Sequence, residues 1–143
     1  MRKRALIFDD DAVIRRMLWM LLDGRGYEVF SFPNPGQCPL SRAPDCVDPQ
    51  VGAFADLIIS DLEMPDIKGM DFIEGFLKKG YRCQAIALIS GVWNDALRAR
   101  ARQIGCKLLT KPLKVEEIVK WLDEIEPTIK PDRMLVEWRN LKV

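Results

Sequence analysis

Polar side chains that could perform phosphate chemistry end several short apolar runs of this sequence. They are Asp9, Asp10, Asp61, Ser90 and Lys111. Three carboxylates brought close together repel one another unless their pKa values rise or a cation joins them. Hard oxygen ligands that leave positions open for water or phosphate suit Mg²⁺. A lysine and a hydroxyl facing the same pocket would donate to an anion. Together these groups indicate phosphoryl transfer to an aspartate.

These side chains can meet only if the apolar runs are parallel strands of one sheet. The runs 57–59 and 85–89 are apolar without a break, which is typical of strands buried on both faces. Further strand candidates cover 4–8, 27–32 and 107–110. In a parallel sheet all carboxyl ends lie on one side, where ligands collect. The alternation of strand and helix, repeated about five times, predicts right-handed crossovers with helices on both faces.

Amphipathic segments separate most of the strand candidates. Asp11 can cap the first helix, and Asn94 or Asp95 can begin a later one. The apolar residues at helical spacing are Ile14, Leu18, Leu21 and Leu22, then Met70, Ile73, Phe76 and Leu77, then Leu97, Ala101 and Ile104, and finally Val115, Ile118, Val119, Leu122 and Ile125.

The stretch 33–54 has a different composition, because five of the nine prolines fall within it. Proline removes a helical hydrogen bond, so a regular second helix is hard to place there, although short turns around 36–43 or 50–55 would fit. We expect an irregular connection. It is either a partner-specific surface or a loop insertion, which the chain tolerates because loops absorb length at little cost.

Composition indicates one globular domain and excludes several classes of protein. The chain has 143 residues, and its 22 lysines and arginines nearly balance its 21 aspartates and glutamates. This balance argues against a nucleic-acid interface, which needs a basic face. The basic residues 2–4 precede only four apolar residues, too few for a signal peptide or a membrane span.

The four cysteines have no CxxC spacing, and the chain has no histidine. A zinc site is therefore not expected. We expect a cytoplasmic protein whose thiols are reduced. Cys38 and Cys46 both lie in the 33–54 stretch and could form a disulfide or share a metal. The expected cytoplasmic location disfavours such an arrangement.

The C-terminal residues 127–143 are expected to form a tail to a domain of residues 1–126. Pro131-Asp132 predicts a helix start, followed by Met134, Leu135, Trp138 and Leu141 at helical spacing. Such a helix would pack on the domain or bind a partner. The tail is too short to be a DNA-binding domain.

Four segments together resemble the receiver domain of bacterial two-component response regulators, over about residues 3–125. They are LIFDDD (6–11), LIISDLEMPDIKG (57–69), ALISG (87–91) and LLTKPL (108–113). The resemblance implies a flavodoxin-like (βα)5 fold, with a five-stranded parallel sheet in the order 2-1-3-4-5. In this chain we expect the second helix to be shortened or replaced by an irregular loop.

The resemblance also implies roles for the acidic residues. Asp61 would be the phosphoacceptor. Mg²⁺ would be held by Asp9, Asp10, Asp61 and the backbone carbonyl of Glu63, with Asp10 the more direct ligand of the acidic pair. Glu63 and Val92 occupy positions that in the family influence how long the phosphoryl group survives.

Ser90 corresponds to the family's switch hydroxyl, which turns toward the phosphoryl group, and Lys111 pairs with that group. The Lys111-Pro112 peptide bond is expected to be cis. The sequence departs from the family at Leu108, where an aromatic residue usually moves with the switch. Trp93 is a candidate substitute.

The resemblance implies protein partners. With no histidine, the chain needs a phosphodonor such as a sensor histidine kinase or a histidine phosphotransfer protein. Phosphorylation would shift a two-state equilibrium in the face formed by residues 94–125. This face would contact a downstream protein, and either it or the tail could form a homodimer. Neither nucleic acid nor membrane is expected as a partner, and any catalysis would be limited to the chain's own phosphorylation and dephosphorylation.

Two other functions remain open at this point. The first is an unphosphorylated receiver-like scaffold that binds a partner through Trp121, Trp138 or the 33–54 stretch. The second is a haloacid-dehalogenase-like phosphatase that uses Asp9, because Asp9-x-Asp11-x-Val13 fits that group's first motif. Against the phosphatase, no acidic pair follows Lys111 at a further strand end.

Overall fold

Five parallel strands form the sheet at the centre of the protein, in the order β2-β1-β3-β4-β5. The computed structural model describes residues 2–42, 45, 53–64 and 67–137. The strands are β1 (Lys3–Phe8), β2 (Tyr27–Phe32), β3 (Ala53–Asp61), β4 (Arg82–Ser90) and β5 (Lys107–Thr110). The predicted architecture and strand order are confirmed.

Among the described residues, three α-helices connect strands and a fourth follows β5, and side-chain caps define where two of the four begin. They are α1 (Ala12–Gly24), α2 (Gly69–Lys78), α3 (Asp95–Gln103) and α4 (Val115–Ile125). The Asp11 carboxylate accepts a hydrogen bond from the Val13 backbone at 2.9 Å, and Asn94 accepts one from Leu97 at 2.8 Å. These side chains satisfy backbone donors that have no partner within the first turn.

The helices cover both faces of the sheet and so enclose two apolar layers. On one face, Ile7 of β1 packs among Leu18 of α1 and Ile118 of α4. On the other face, Phe8 packs with Ile73 of α2. Neighbouring strand residues point to opposite faces, so a strand between two helical layers must be apolar at consecutive positions. This explains the unbroken apolar runs of the sequence.

The connection between β2 and β3 contains two short 3₁₀ helices, Pro35–Gln37 and Pro39–Arg42, among the residues that are described. Pro35 and Cys38 are buried, so this part of the loop is anchored in the core. The expected replacement of a regular second helix is confirmed. The Cys38–Cys46 pairing cannot be placed, because Cys46 lies outside the described residues.

The helix predicted to start at Pro131-Asp132 is wrong for the described part of the tail. These two residues form a turn, and Leu135 then makes a parallel bridge with Ala53. The Val136 backbone N–H donates to the Ala53 carbonyl at 2.8 Å. The tail backbone therefore pairs with the start of β3 instead of with itself. The predicted helix positions Trp138 and Leu141 lie outside the described residues.

Within the described residues, no helix combines the length and apolar character needed to cross a membrane.

Candidate functional site

Asp61 is the last residue of β3 and stands at the carboxyl end of the sheet, where its side chain is fully buried. Its Oδ1 accepts a hydrogen bond from the Glu63 backbone N–H at 2.9 Å. Its Oδ2 forms an ion pair with Lys111 Nζ, also at 2.9 Å. Both carboxylate oxygens thus have donors, and these hold the side chain in a fixed orientation.

Asp9 and Asp10 follow β1, the neighbour of β3, and therefore lie beside Asp61. Each of the three carboxyl groups has an oxygen within 4.8 Å of the other two. Asp9 is buried, and its Oδ1 accepts the Asp11 backbone N–H at 2.8 Å. Its Oδ2 is buried without any hydrogen-bond partner among the described residues. A buried, unpaired carboxylate oxygen is costly, so it marks a position that a cation would satisfy.

The surroundings of Asp9 in this cluster disfavour the ionised form of its carboxyl group. Burial, reinforced by the nearby Asp61 carboxylate, raises the pKa of Asp9 to about 6, despite the hydrogen bond from Asp11. Hard oxygen ligands from two or three carboxylates are what Mg²⁺ binds. The set Asp9, Asp10 and Asp61 therefore fits the expected ion, with the Glu63 carbonyl as the further ligand that the resemblance implies.

Lys111 follows β5 and supplies the positive charge of the site. Partial burial would lower the pKa of its ammonium, but the hydrogen bond to Asp61 and the carboxylates of Asp9 and Glu63 outweigh it and raise the pKa. The Lys111 backbone N–H donates to the Ser90 carbonyl at 3.0 Å, which ties the end of β5 to the end of β4. The Lys111-Pro112 bond is cis, as expected.

Ser90 ends β4 and is completely buried. Its Oγ lies 2.7 Å from Glu63 Oε1 and 2.8 Å from the Val92 carbonyl, and it accepts the Val92 backbone N–H at 3.1 Å. Within the described part of the chain, these bonds direct the hydroxyl to Glu63 and Val92 and not to Asp61. Sequence reasoning placed Glu63 among the positions that influence phosphoryl lifetime, but it did not predict the hydrogen bond between its side chain and Ser90.

The position expected to carry an aromatic switch residue is occupied by Leu108, which is partly buried. Trp93, the candidate substitute, does reach β5. Its Nε1 donates to the Leu109 carbonyl at 3.1 Å. This contact links the loop after Ser90 to the fifth strand, which is the connection that a substitute would need.

Two observations weaken the alternative functions. Trp121 is buried among the core residues of α4 and so presents no free surface for a scaffold partner. Trp138 lies outside the described residues. Asp11, the second aspartate of the phosphatase motif, caps α1 and is not part of the carboxylate cluster.

Known proteins with similar sequences include regulators and a chemotaxis protein. A probable transcriptional regulatory protein of Picosynechococcus sp. is 32% identical over 121 residues, 82% of this chain and 47% of that protein. The chain thus spans about half the length of that relative. Chemotaxis protein CheY of Thermotoga maritima is 28% identical over 126 residues, 87% of this chain and 98% of that protein.

A structural neighbour and a family profile complete the comparison. The structure of Vibrio cholerae chemotaxis protein CheY4 superposes with a TM-score of 0.68 at 25% identity, covering 87% of this chain and 99% of that one. The profile of the response regulator receiver domain matches residues 5–123. With the five-stranded sheet and the acidic cluster at its carboxyl end, these matches establish that the chain belongs to the response regulator receiver domain family.

Proposed function

We propose that this receiver accepts a phosphoryl group on Asp61 in the presence of Mg²⁺ and signals by protein contact. The observation that carries the proposal is the environment of Asp61. Its buried carboxylate is held by the Glu63 N–H and Lys111, within 4.8 Å of carboxylate oxygens of Asp9 and Asp10. The nucleophile Asp61, the positive charge of Lys111 and the acidic groups that could hold a cation are thereby positioned before any donor arrives.

In the proposed reaction, an Asp61 carboxylate oxygen forms a bond to the phosphorus of the donor. The bond from phosphorus to the donor's histidine nitrogen or acyl oxygen breaks, and the donor atom keeps the electron pair. Bound Mg²⁺ would neutralise the phosphoryl oxygens as charge builds on them. Lys111 stays positively charged next to Asp61 and so offsets the charge that the aspartyl phosphate adds.

The proposed donor is a sensor histidine kinase or a histidine phosphotransfer protein, because the chain itself has no histidine. The proposed output is a contact of the 94–125 face with a downstream protein or with a second copy. The link from Ser90 through Val92 to Trp93 and Leu109 supports this face, because it joins the site to β5. The proposed compartment is the cytoplasm.

The test is incubation with acetyl phosphate and Mg²⁺, followed by intact-mass measurement. We expect the wild type to gain one phosphoryl group, and Asp61→Asn to gain none. Removal of Mg²⁺ with EDTA should also abolish the gain. Asp23→Asn, an exposed acid near the end of α1, is the matched control and should react like the wild type. Phosphorylation of Asp61→Asn, or none of the wild type, would contradict the proposal.

A further inference from the structure

Ser90 and Glu63 form a hydrogen bond that the expected chemistry of the site does not require. The Ser90 hydroxyl has one proton and two acceptors in reach, the Glu63 carboxylate at 2.7 Å and the Val92 carbonyl at 2.8 Å. A carboxylate is the stronger acceptor, because charge-assisted hydrogen bonds are shorter and stronger than neutral ones. Ser90 is fully buried, so water does not compete with this bond at the hydroxyl.

Glu63 contacts both the phosphoacceptor and the hydroxyl. Its backbone N–H donates to Asp61 Oδ1 at 2.9 Å, while its side chain reaches across to Ser90 at the end of the neighbouring strand. The two ends are adjacent because β3 and β4 pair in register up to Asp61 and Ile89. Glu63 thus links Asp61 to the Ser90 hydroxyl, and a change at Asp61 can reach Ser90 through it.

We propose, on the basis of the function proposed above, that Glu63 is a positioning residue that acts through Ser90. Its carboxylate holds the Ser90 hydroxyl in the unphosphorylated protein. A phosphoryl group on Asp61 gains that hydroxyl as a hydrogen-bond donor only when the Ser90–Glu63 bond breaks. The Ser90–Glu63 bond therefore contributes to the free-energy difference between the state in which Ser90 binds Glu63 and the state in which it binds the phosphoryl group.

Phosphorylation itself favours release of Glu63. Converting the Asp61 carboxylate into an acyl phosphate adds about one negative charge there, and this charge repels a neighbouring carboxylate. A cavity of about 550 Å³ opens beside the site and gives the released side chain a place to lie. Glu63 lines this cavity together with Lys68, whose positive charge would attract it there.

Two substitutions separate the hydrogen bond from the charge. Glu63→Gln keeps an acceptor oxygen at the same chain length but loses the charge. Glu63→Ala loses both. The two variants therefore share any effect of the lost charge on Mg²⁺ affinity. Because the Glu63 side chain is at the surface, neither substitution opens a cavity in the core.

The readout is the affinity for beryllofluoride, a phosphoryl mimic, measured by calorimetry with saturating Mg²⁺. We expect Glu63→Ala to bind it about three- to tenfold more tightly than Glu63→Gln does, the equivalent of one neutral hydrogen bond. The same pair is then measured in a Ser90→Ala background. There the ratio should fall to about one, because no hydroxyl is left to hold.

Each outcome decides between the proposals. If the two Glu63 variants bind the mimic with equal affinity and the wild type also binds it, the role of Glu63 is overturned but the proposed function is not. A ratio that persists in the Ser90→Ala background also overturns it, because the effect then does not pass through Ser90. Failure of the wild type to bind the mimic with Mg²⁺ overturns the proposed function, and the role of Glu63 with it.

Discussion

Asp9 is the residue whose surroundings least favour its charge. Its pKa is about 6 in the folded protein, against an ordinary value of 3.8. Between these two values the folded state binds more protons than the unfolded chain. The free energy of unfolding therefore falls as the pH rises from about 4 to about 6, and it stays reduced above that range. A bound cation would remove this penalty.

We expect Asp9→Asn to stabilise the metal-free protein. Asparagine keeps the oxygen that accepts the Asp11 N–H but carries no charge. In EDTA at pH 8 its free energy of unfolding should exceed that of the wild type by about 2 kcal/mol, a value reduced for solvent screening. At pH 4.5 the gain should shrink to about half or less, because Asp9 is then largely protonated. Urea unfolding followed by circular dichroism measures both.

The control for this prediction is Mg²⁺ itself. The cation should stabilise the wild type by mass action and the variant much less, because the variant lacks one ligand. An equal stabilisation by Asp9→Asn at both pH values would show that the carboxylate charge is not the cause.

At the scale of the elements, the start of α2 is constrained by the end of β3. A Cβ on Gly69, the first residue of α2, would overlap the backbone carbonyl oxygen of Asp61 and touch the Ser60 hydroxyl. The backbone cannot shift there without moving Asp61. Gly75, in the middle of the same helix, has no atom within 4 Å of its would-be Cβ.

These two glycines should respond oppositely to alanine. Gly69→Ala is expected to lower the free energy of unfolding by about 1–3 kcal/mol through overpacking. Gly75→Ala should raise it by about 0.5–1 kcal/mol, because glycine is a poor residue inside a helix. Urea unfolding measures both, and acetyl phosphate labelling should decrease only in Gly69→Ala. Stabilisation by Gly69→Ala would mean that the close approach to Asp61 does not constrain α2.

The sequence was sufficient to predict the sheet and most of the site. A strand such as 57–59 is apolar on both faces, which is typical of a parallel sheet covered by helices on both sides. Once parallel strands are accepted, their ends must lie together, so the convergence of Asp9, Asp61 and Lys111 follows from topology alone. Their individual roles came from the family resemblance and not from the pattern.

Side-chain contacts and the tail could not be predicted in the same way. The Ser90–Glu63 bond joins residues 27 positions apart and depends on a rotamer that no sequence period encodes. Met134, Leu135, Trp138 and Leu141 have helical spacing in the sequence. The backbone of Ala53 nevertheless pairs with the tail at Leu135 and Val136. Local propensity is a weak signal when a tertiary partner is available.

At the scale of the whole molecule, the tail fastens the strands at a distance from the candidate site. Arg133 donates two hydrogen bonds of 2.5 Å, from Nε and Nη2, to the buried carboxylate of Asp56 on β3. Arg4 of β1 donates to the Val136 carbonyl at 2.8 Å. Residues past 126 are thus joined to two central strands.

Arg133→Ala should therefore destabilise the whole domain. It leaves the Asp56 carboxylate buried without its cation, and we expect a loss of about 3 kcal/mol in the free energy of unfolding. Adding Asp56→Asn should recover part of the loss, because no buried charge remains. Arg102→Ala, an exposed arginine of α3, is the control and should change stability by less than about 0.5 kcal/mol. Urea unfolding decides: equal effects of Arg133→Ala and Arg102→Ala would mean that the tail adds nothing to the fold.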